Sequence, residues 1–316
     1  MLIFNLRRNR AGMLILIILI ATSMFMIFLQ TFELNGDPRL TLIKLMAGTA
    51  DRPFVYRVLA PTIIRLVSVA TALPPAVVTL GVMWLSLISF ALTFRSFARH
   101  FIAEPLLADL ATIFALVGLY PSFYFGKIYD FTILFLFVLE LLLMYTQRWW
   151  AYTLLFPIAC LGKETTVLLG LVFALHFFRQ LDRRTFFTLL AAQAIIFLVI
   201  RLTLTWVFRN NPGNTLEFHL FDHLRAFGRQ PIFFSLWLLW LSGMVGIAWY
   251  RWQHKPLFLR QAALGIAGPL VILFFISGGP YELRALYEAY PVMFLLMVLS
   301  LDKKPDRLIK NPAVRT

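Results

Sequence analysis

The sequence predicts an all-α polytopic membrane protein, and both its composition and its residue pattern support this class. Of its 316 residues, 60% are apolar and only 14% are charged, whereas a soluble domain carries about a quarter charged residues. Too few polar residues remain to cover a soluble core of that size. The sequence also lacks the ten-residue alternation of membrane β-barrels, so the spanning elements must be helices. We therefore expect one multi-pass transmembrane domain over residues 1–316, with no soluble domain.

The apolar runs predict about ten transmembrane helices. The first run begins near Met13, and it is too long for the apolar core of a signal peptide, so we interpret it as a retained span. The run 150–162 is short, and we expect that helix to end inside the protein. In chain order the predicted spans are 11–31, 75–94, 106–126, 131–146, 150–162, 165–178, 185–207, 231–250, 261–277 and 286–301.

A further apolar segment, 54–72, is predicted to be an interfacial helix on the outer face and not a span. With a cytoplasmic N-terminus, this assignment places 17 of the 29 Lys and Arg residues on the cytoplasmic side, and every short connection obeys the positive-inside rule. A spanning segment would instead put Arg57 and Arg65 into hydrocarbon, at roughly 2.5–3.5 kcal/mol each. We expect both termini to be cytoplasmic and the protein to lie in the cell inner (plasma) membrane.

Helical spacing gives the segment 54–72 two faces. Arg57, Pro61, Arg65 and Ser68 share one face, which we expect to meet water or a cleft. Apolar residues cover the rest and face the membrane, as in helices that lie in the lipid interface. Contact with lipid headgroups is an alternative for the two arginines.

Polar side chains gather at the predicted outer ends of the spans, in loops from distant parts of the chain. Charged groups so close to hydrocarbon are costly, which makes them candidates for function. Structural alternatives are a helix cap for Asp130, a turn ion pair between Lys163 and Glu164, and a helical pair between Arg284 and Glu288. The candidates are Asp37, Asp51, Tyr56, Arg57, Tyr129, Asp130, Lys163, Glu164, His223, Glu282 and Arg284.

The sequence carries no motif of a soluble enzyme. A glycine-rich phosphate loop, HExxH, paired CxxC and GxSxG are all absent. His219 and His223 with Asp222 could face one side of a helix, but this spacing offers no third firm metal ligand. We predict no cofactor and no metal site, although a divalent metal stays open, and we expect no nucleic-acid partner.

Two stretches, YPSFYFGKIYDFTILFLFVLELLLM and WWAYTLLFPIACLGKETTVLLGLVFALHF, extend the pattern of a first span, a long outer loop and many short-looped spans. In this respect the chain resembles the C-type (GT-C) fold of multi-spanning glycosyltransferases. It lacks the extra spans or periplasmic domain of many members, and its first loop has no clear DxD. The resemblance implies transfer of a sugar from a polyprenyl-phosphate-type lipid donor to an acceptor on the outer face. Membrane lipid and a lipid-linked sugar donor are then the expected partners.

The candidate residues suit this chemistry. A phosphate leaving group departs as an anion and needs cations, which Arg57, Lys163 and Arg284 could supply, the arginines by bidentate contact. The acceptor hydroxyl needs a base. We predict Asp37, because it occupies a tight turn after the first span, and because the resemblance implies a base at the first acid of this loop.

Asp51 is the second choice for the base. An ion pair with Arg52, or a place at a helix N-terminus, would lower its pKa and make it a poor proton acceptor. Tyr56, Tyr129, Asp130, Glu164, His223 and Glu282 are expected to line the substrate cavity.

Two other functions stay open. A secondary transporter would place its polar groups near the bilayer midplane, where Glu140 is the only deep acid and Arg201 its candidate counter-charge. A flippase or lipid-binding scaffold would share the basic outer face and would tolerate loss of Asp37.

Overall fold

A computed structural model describes residues 10–123, 126–280 and 282–301. Within these ranges the protein consists of helices and connecting turns, and it has no β-strand. The thirteen α-helices are α1 Arg10–Leu29, α2 Leu42–Ala47, α3 Leu59–Thr71, α4 Pro75–Phe101, α5 Pro105–Val117, α6 Asp130–Tyr145, α7 Trp149–Gly162, α8 Val167–Phe177, α9 Arg183–Val207, α10 Leu220–Arg229, α11 Pro231–Trp249, α12 Leu257–Ser277 and α13 Tyr290–Ser300. Short 3₁₀ turns lie at Phe54–Tyr56, Tyr120–Ser122, Glu164–Thr166, Trp252–His254 and Leu283–Leu286.

Five helices of the described chain are long and apolar enough to cross a membrane: α1, α4, α9, α12 and Pro105–Ser122, which joins α5 to its 3₁₀ turn. A helix lies at each of the ten predicted spans. The 19 residues of α11 give it about the length of Pro105–Ser122, whereas α6, α7, α8 and α13 have 16 residues or fewer. The 16 residues of α6 reach about 24 Å at 1.5 Å per residue, against about 30 Å of hydrocarbon. Polar turns end these shorter helices; α7, for example, ends at Gly162, directly before Lys163.

Aromatic side chains form much of the core between the helices. The helix α4 packs along α6, α7 lies against α6 and α9, and α12 packs on α8. Phe90, Phe94, Phe97 and Phe101 follow one face of α4 at helical spacing, and each is at most 2% exposed. This periodic face explains why a helix that is apolar all round still has a defined inner side.

The segment 54–72 is not one continuous helix. A 3₁₀ turn, Phe54–Tyr56, ends at Arg57, and α3 begins two residues later at Leu59. The apolar face is exposed as predicted, with Leu66 64% and Val69 78% exposed. Arg57, Pro61 and Ser68 are buried in the bundle and do not face water, whereas Arg65 is exposed.

The basic residues at both ends of the chain, on which the predicted orientation partly depends, lie outside the described residues, with the exception of Arg10. They are Arg7, Arg8, Lys303, Lys304, Arg307, Lys310 and Arg315.

Candidate functional site

Polar and charged side chains from five separate segments meet at one end of the bundle. They come from the loop before α2, the loop before α3, the turn before α6, the turn after α7 and the loop before α13. Ion pairs and hydrogen bonds connect them into a group that we call the charged cluster, consisting of Asp37, Arg57, Lys127, Tyr129, Asp130, Glu164, Glu282 and Arg284.

Arg57 is buried where the 3₁₀ turn breaks before α3. Its Nη1 donates to the Tyr129 hydroxyl at 2.6 Å, and its Nη2 donates to Glu164 Oε1 at 3.0 Å. The guanidinium also lies 4.8 Å from the centre of the Tyr129 ring. Burial opposes its charge, but Glu164 and Tyr129 outweigh that effect and raise the pKa of Arg57. The prediction that Arg57, Tyr129 and Glu164 share one site is therefore met by direct contacts.

Arg284 lies in the 3₁₀ turn before α13 and faces two carboxylates. Its Nη1 is 3.5 Å from Asp130 Oδ1, and its Nη2 is 3.3 Å from Glu282 Oε1. Burial opposes its charge, yet these two acids raise the pKa of Arg284, while the field of Arg57 acts in the opposite direction. Arg57 and Arg284, from distant parts of the chain, are thus close enough to repel each other.

Asp130 does not cap α6, because it is the first residue of that helix and Tyr129 occupies the cap position; its carboxylate binds the preceding turn and an arginine instead. Its Oδ2 accepts a hydrogen bond from the Lys127 backbone N at 2.7 Å, which fixes the turn before α6. Its other oxygen faces Arg284. A buried carboxylate with these two partners holds the turn and balances a cation at the same time.

Lys163 forms its ion pair with Glu288, outside the charged cluster, although its charge also acts on Glu164. Its Nζ lies 2.6 Å from Glu288 Oε1, and the two side chains are 9% and 0% exposed. The extended backbone of Lys163 ends α7, so Lys163 and Glu164 reach different partners. The turn ion pair between them and the Arg284–Glu288 pair are therefore not the contacts formed; Glu288 binds Lys163.

Each of the three cations predicted to bind phosphate has a carboxylate partner in the described chain. The prediction of a shared anion was motivated by a shortage of nearby acids for Arg57, Lys163 and Arg284. That shortage does not exist. Their binding of an external phosphate stays a prediction. The charge of Arg57 acts on Arg284, and the charges of Arg57 and Lys163 both act on Glu164.

Asp37 is held by an arginine that sequence reasoning passed over. Its Oδ1 accepts from Arg39 Nε at 3.1 Å, and its Oδ2 accepts from Arg39 Nη2 at 3.0 Å. Burial alone would raise the pKa of Asp37, but Arg39, with Lys127 at 4.0 Å, brings it below its ordinary value. Arg39 also binds Glu217 of a distant loop at 2.7 Å.

Asp51 also lies near Arg39 and its charge helps to raise the pKa of Arg39. Its backbone N donates to the Arg39 carbonyl at 3.0 Å, whereas the side chain of Arg52 donates to the Gly213 carbonyl at 2.7 Å. Within the described chain, the Asp51 carboxylate forms no ion pair with Arg52. The ion pair that was expected to lower the pKa of Asp51 is thus found at Asp37, where Arg39 has this effect.

Tyr56 and His223 lie beside the cluster and contact other groups. The Tyr56 ring is covered by the guanidinium of Arg201 at 5.0 Å, and Arg201 Nη1 lies 3.9 Å from Glu164 Oε2. His223 Nε2 donates to the carbonyls of Phe274 and Gly278, at the end of α12.

The deep acid Glu140 is not paired with Arg201, which lies beside Glu164. Both carboxyl oxygens of Glu140 are buried without a hydrogen-bond partner in the part of the chain that the structure describes. Among the same residues, no group of His, Cys, Asp and Glu could hold a metal ion. The ion-pair geometry that a coupled transporter site would offer at Glu140 is thus not formed.

Four residues that belong to the charged cluster or pair with candidate residues were not among the predicted site residues. They are Arg39, Lys127, Arg201 and Glu288. Lys127 and Glu288 were visible as charges in polar turns. Arg39 had a local signal, because it follows Asp37 by two residues in NGDPRL, a spacing that allows a side chain to fold back on a turn. The pairing of Arg201 with Glu164 depends on how α9 packs in the bundle, and no pattern of residues indicated this packing.

A scan against protein-family models found no match, and searches of curated proteins and of solved structures found no similar chain. The likeness to the GT-C fold is therefore carried by the quoted stretches and the order of spans and loops.

Proposed function

We propose that this protein is an integral-membrane glycosyltransferase that moves a sugar from a polyprenyl-phosphate-type lipid donor to an acceptor on the outer face of the membrane. In this proposal the helices form about ten spans, with both termini in the cytoplasm and the charged cluster outside. The membrane is the cell inner (plasma) membrane, which fits the distribution of Lys and Arg between the predicted loops.

The observation that carries the proposal is the approach of two buried arginines at the end of an apolar bundle. Arg57 and Arg284 are 8% and 5% exposed, and each uses its guanidinium for carboxylates that a phosphate could replace or share. Arginine matches a phosphate in a bidentate way. A site at the membrane boundary can bind a headgroup while its tail stays in lipid, as a lipid-linked donor requires.

The chemistry is a single displacement. The acceptor hydroxyl oxygen attacks the anomeric carbon of the sugar, the bond from that carbon to the phosphate oxygen breaks, and the lipid phosphate leaves with the bonding electron pair. Arg57 and Arg284 stabilise the developing phosphate charge. A carboxylate takes the hydroxyl proton, and the configuration of the sugar is inverted.

Asp37 and Asp51 are the two candidate bases, and both act on the charge of Arg39. The Arg39 clamp keeps Asp37 ionised, but it also weakens Asp37 as a proton acceptor. We therefore propose Asp51 as the base, with Asp37 and Arg39 as the pair that fixes the loop beside it. This reverses the order that the sequence favoured.

The test is transfer by purified protein in proteoliposomes, with polyprenyl-phosphate hexoses and pentoses that carry a radiolabelled sugar. The wild type should release labelled sugar to an acceptor or to water, and Asp51→Asn should abolish this while it still binds the donor. If Asp37→Asn is inactive and Asp51→Asn is fully active, the base is Asp37. If neither variant changes an observed transfer, both assignments are wrong.

A second candidate function is binding or movement of a lipid phosphate without transfer. The observation that favours it is that the cluster is already neutralised by its own carboxylates and that Asp37 is clamped. Such a protein would bind polyprenyl phosphate through Arg57 and Arg284 but consume no donor, and both aspartate variants would behave like the wild type.

A further inference from the structure

The short helix α10, Leu220–Arg229, presents three different faces. At about 100° per residue, Leu220, Phe221 and Leu224 share one face, and they are 38%, 61% and 62% exposed. Asp222, Arg225 and Arg229 form a second face, about 125° around the helix from the first. The third face lies between these two and consists of His223 and Ala226, which are buried.

The buried face attaches α10 to the end of a membrane-length helix. His223 Nε2 donates to the carbonyls of Phe274 at 3.1 Å and Gly278 at 2.9 Å, where α12 ends at Ser277. The backbone N of His219 donates to the Ile276 carbonyl at 2.7 Å. The Phe274 carbonyl also accepts from Gly278 N, whereas the carbonyls of Ile276 and Gly278 are among those that a helix end leaves open. Together these bonds hold α10 against the end of α12.

The exposed apolar face of α10 continues into the preceding loop. Leu216 and Phe218, in the preceding loop, are 58% and 55% exposed. The Phe218 ring contacts that of Phe221, with ring centres 5.9 Å apart. Ile272 and Leu273 are also exposed, on a helix that is long enough to span. A patch of this kind, rimmed by Asp222 and Arg225, is typical of a membrane-contacting surface.

We propose that α10 lies flat in the lipid interface at the charged end of the bundle. Its apolar face enters the boundary between headgroups and acyl chains, its buried face holds the end of α12, and its polar face meets water. Three faces about 100–140° apart fit a helix that lies beside a bundle on a lipid surface, and the arginines Arg225 and Arg229 suit anionic headgroups.

Contact between α10 and lipid would also affect the position of a loop that binds the first loop beside the charged cluster. Glu217 lies three residues before α10 and binds Arg39 at 2.7 Å, and Arg39 clamps Asp37. Anchoring this loop in the interface holds Glu217 against the first loop. The inference does not depend on the proposed transferase activity, because it follows from the faces of α10 and its attachment to α12.

The test compares two adjacent positions in nanodiscs of phosphatidylethanolamine and phosphatidylglycerol. On a Cys160→Ala background, Leu224→Cys and Arg225→Cys each receive a small fluorophore. Lipids with a nitroxide near the top of the acyl chain report contact with the interface, and iodide reports contact with water. We expect the nitroxide to quench the label at 224 several-fold more strongly than the label at 225, and iodide to show the reverse order.

Two results would overturn the inference. Equal, strong iodide quenching at both positions would show that the apolar face is open to water. Protection of position 224 from both quenchers, together with disulfide cross-linking between copies of Leu224→Cys, would show that a second copy of the chain covers this face. Retention of the helical circular dichroism spectrum by both variants confirms that the comparison reports on folded protein.

Discussion

Replacing Glu288 with glutamine should strongly destabilise this protein, because it leaves Lys163 as a buried cation without a counter-charge. The two side chains are 9% and 0% exposed, and Nζ lies 2.6 Å from Oε1. The amide keeps the volume of the carboxylate and can still accept the hydrogen bond from the Thr165 hydroxyl. The substitution therefore removes the charge with little change in packing.

The magnitude follows from the distance and the burial. At 2.6 Å, two unit charges attract by about 6 kcal/mol in an effective dielectric constant of about 20. The pair has already lost its hydration, so removal of one partner is expected to cost about 3–5 kcal/mol. The double variant Lys163→Met with Glu288→Leu removes both charges and should lie within about 1–2 kcal/mol of the wild type.

The chain contains its own reporter for the measurement. Cys160 is the only cysteine, and it is fully buried, so a thiol-reactive fluorogenic dye should react only as the protein unfolds. Unfolding in detergent would be followed for the wild type, both single variants and the double variant. Arg225→Gln, at a surface ion pair, is the control and should shift stability by less than about 1 kcal/mol.

The reasoning is refuted if Glu288→Gln is as stable as the wild type, or if the double variant is as unstable as the sum of the two single variants. Either outcome would mean that Lys163 and Glu288 do not stabilise each other. If a Lys163→Met variant is stable but no longer binds polyprenyl phosphate, Lys163 contributes to phosphate binding.

Three further predictions concern orientation, the first-loop acid and the deep acid. Cysteine labelling at Thr71 should report the outside and at His100 the inside, and labelling of both from one side contradicts the topology. Arg39→Gln should raise the pKa of Asp37, since it removes the hydrogen bonds and the charge that hold that pKa low. The ¹³C carboxyl resonance of Asp37 should then titrate at higher pH than in the wild type. An unchanged titration would mean that Arg39 does not lower the pKa of Asp37. Glu140 has buried oxygens without partners in the described chain, so Glu140→Gln should change thermal stability by less than about 1 kcal/mol and Glu140→Leu should raise it, whereas marked loss in both would reveal a required charge.

The positions of the helices could be predicted from hydropathy, because each apolar run is bounded by charges, prolines or glycines. The arginines of the run 54–72 set it apart from the predicted spans, and its interfacial location stays a prediction, but its break at Arg57 was not predicted. That break turns the side chain toward Tyr129 and Glu164, which are distant in sequence. Only the packed bundle determines it.

The sequence predicted which loops contribute to the charged cluster, but it did not predict which side chains pair with each other. Charge alone indicated that Arg57, Glu164 and Arg284 lie at one end of the bundle. It gave no means to decide that Lys163 would bind Glu288, since that depends on the extended backbone at the end of α7. The amphipathic helix α10 was missed because its loop was analysed for charges and not for the spacing of Leu220, Phe221 and Leu224.

The central claim, that Arg57 and Arg284 recognise the phosphate of a membrane lipid, is tested most directly by binding measured with native mass spectrometry. The probes are polyprenyl phosphate and the polyprenol of the same length, which lacks the phosphate. The account predicts that the wild type prefers the phosphate, that Arg57→Ala and Arg284→Ala lose this preference, and that the corresponding lysine variants recover it in part. Equal binding of both lipids by the wild type, or an unchanged preference in both alanine variants, would contradict it.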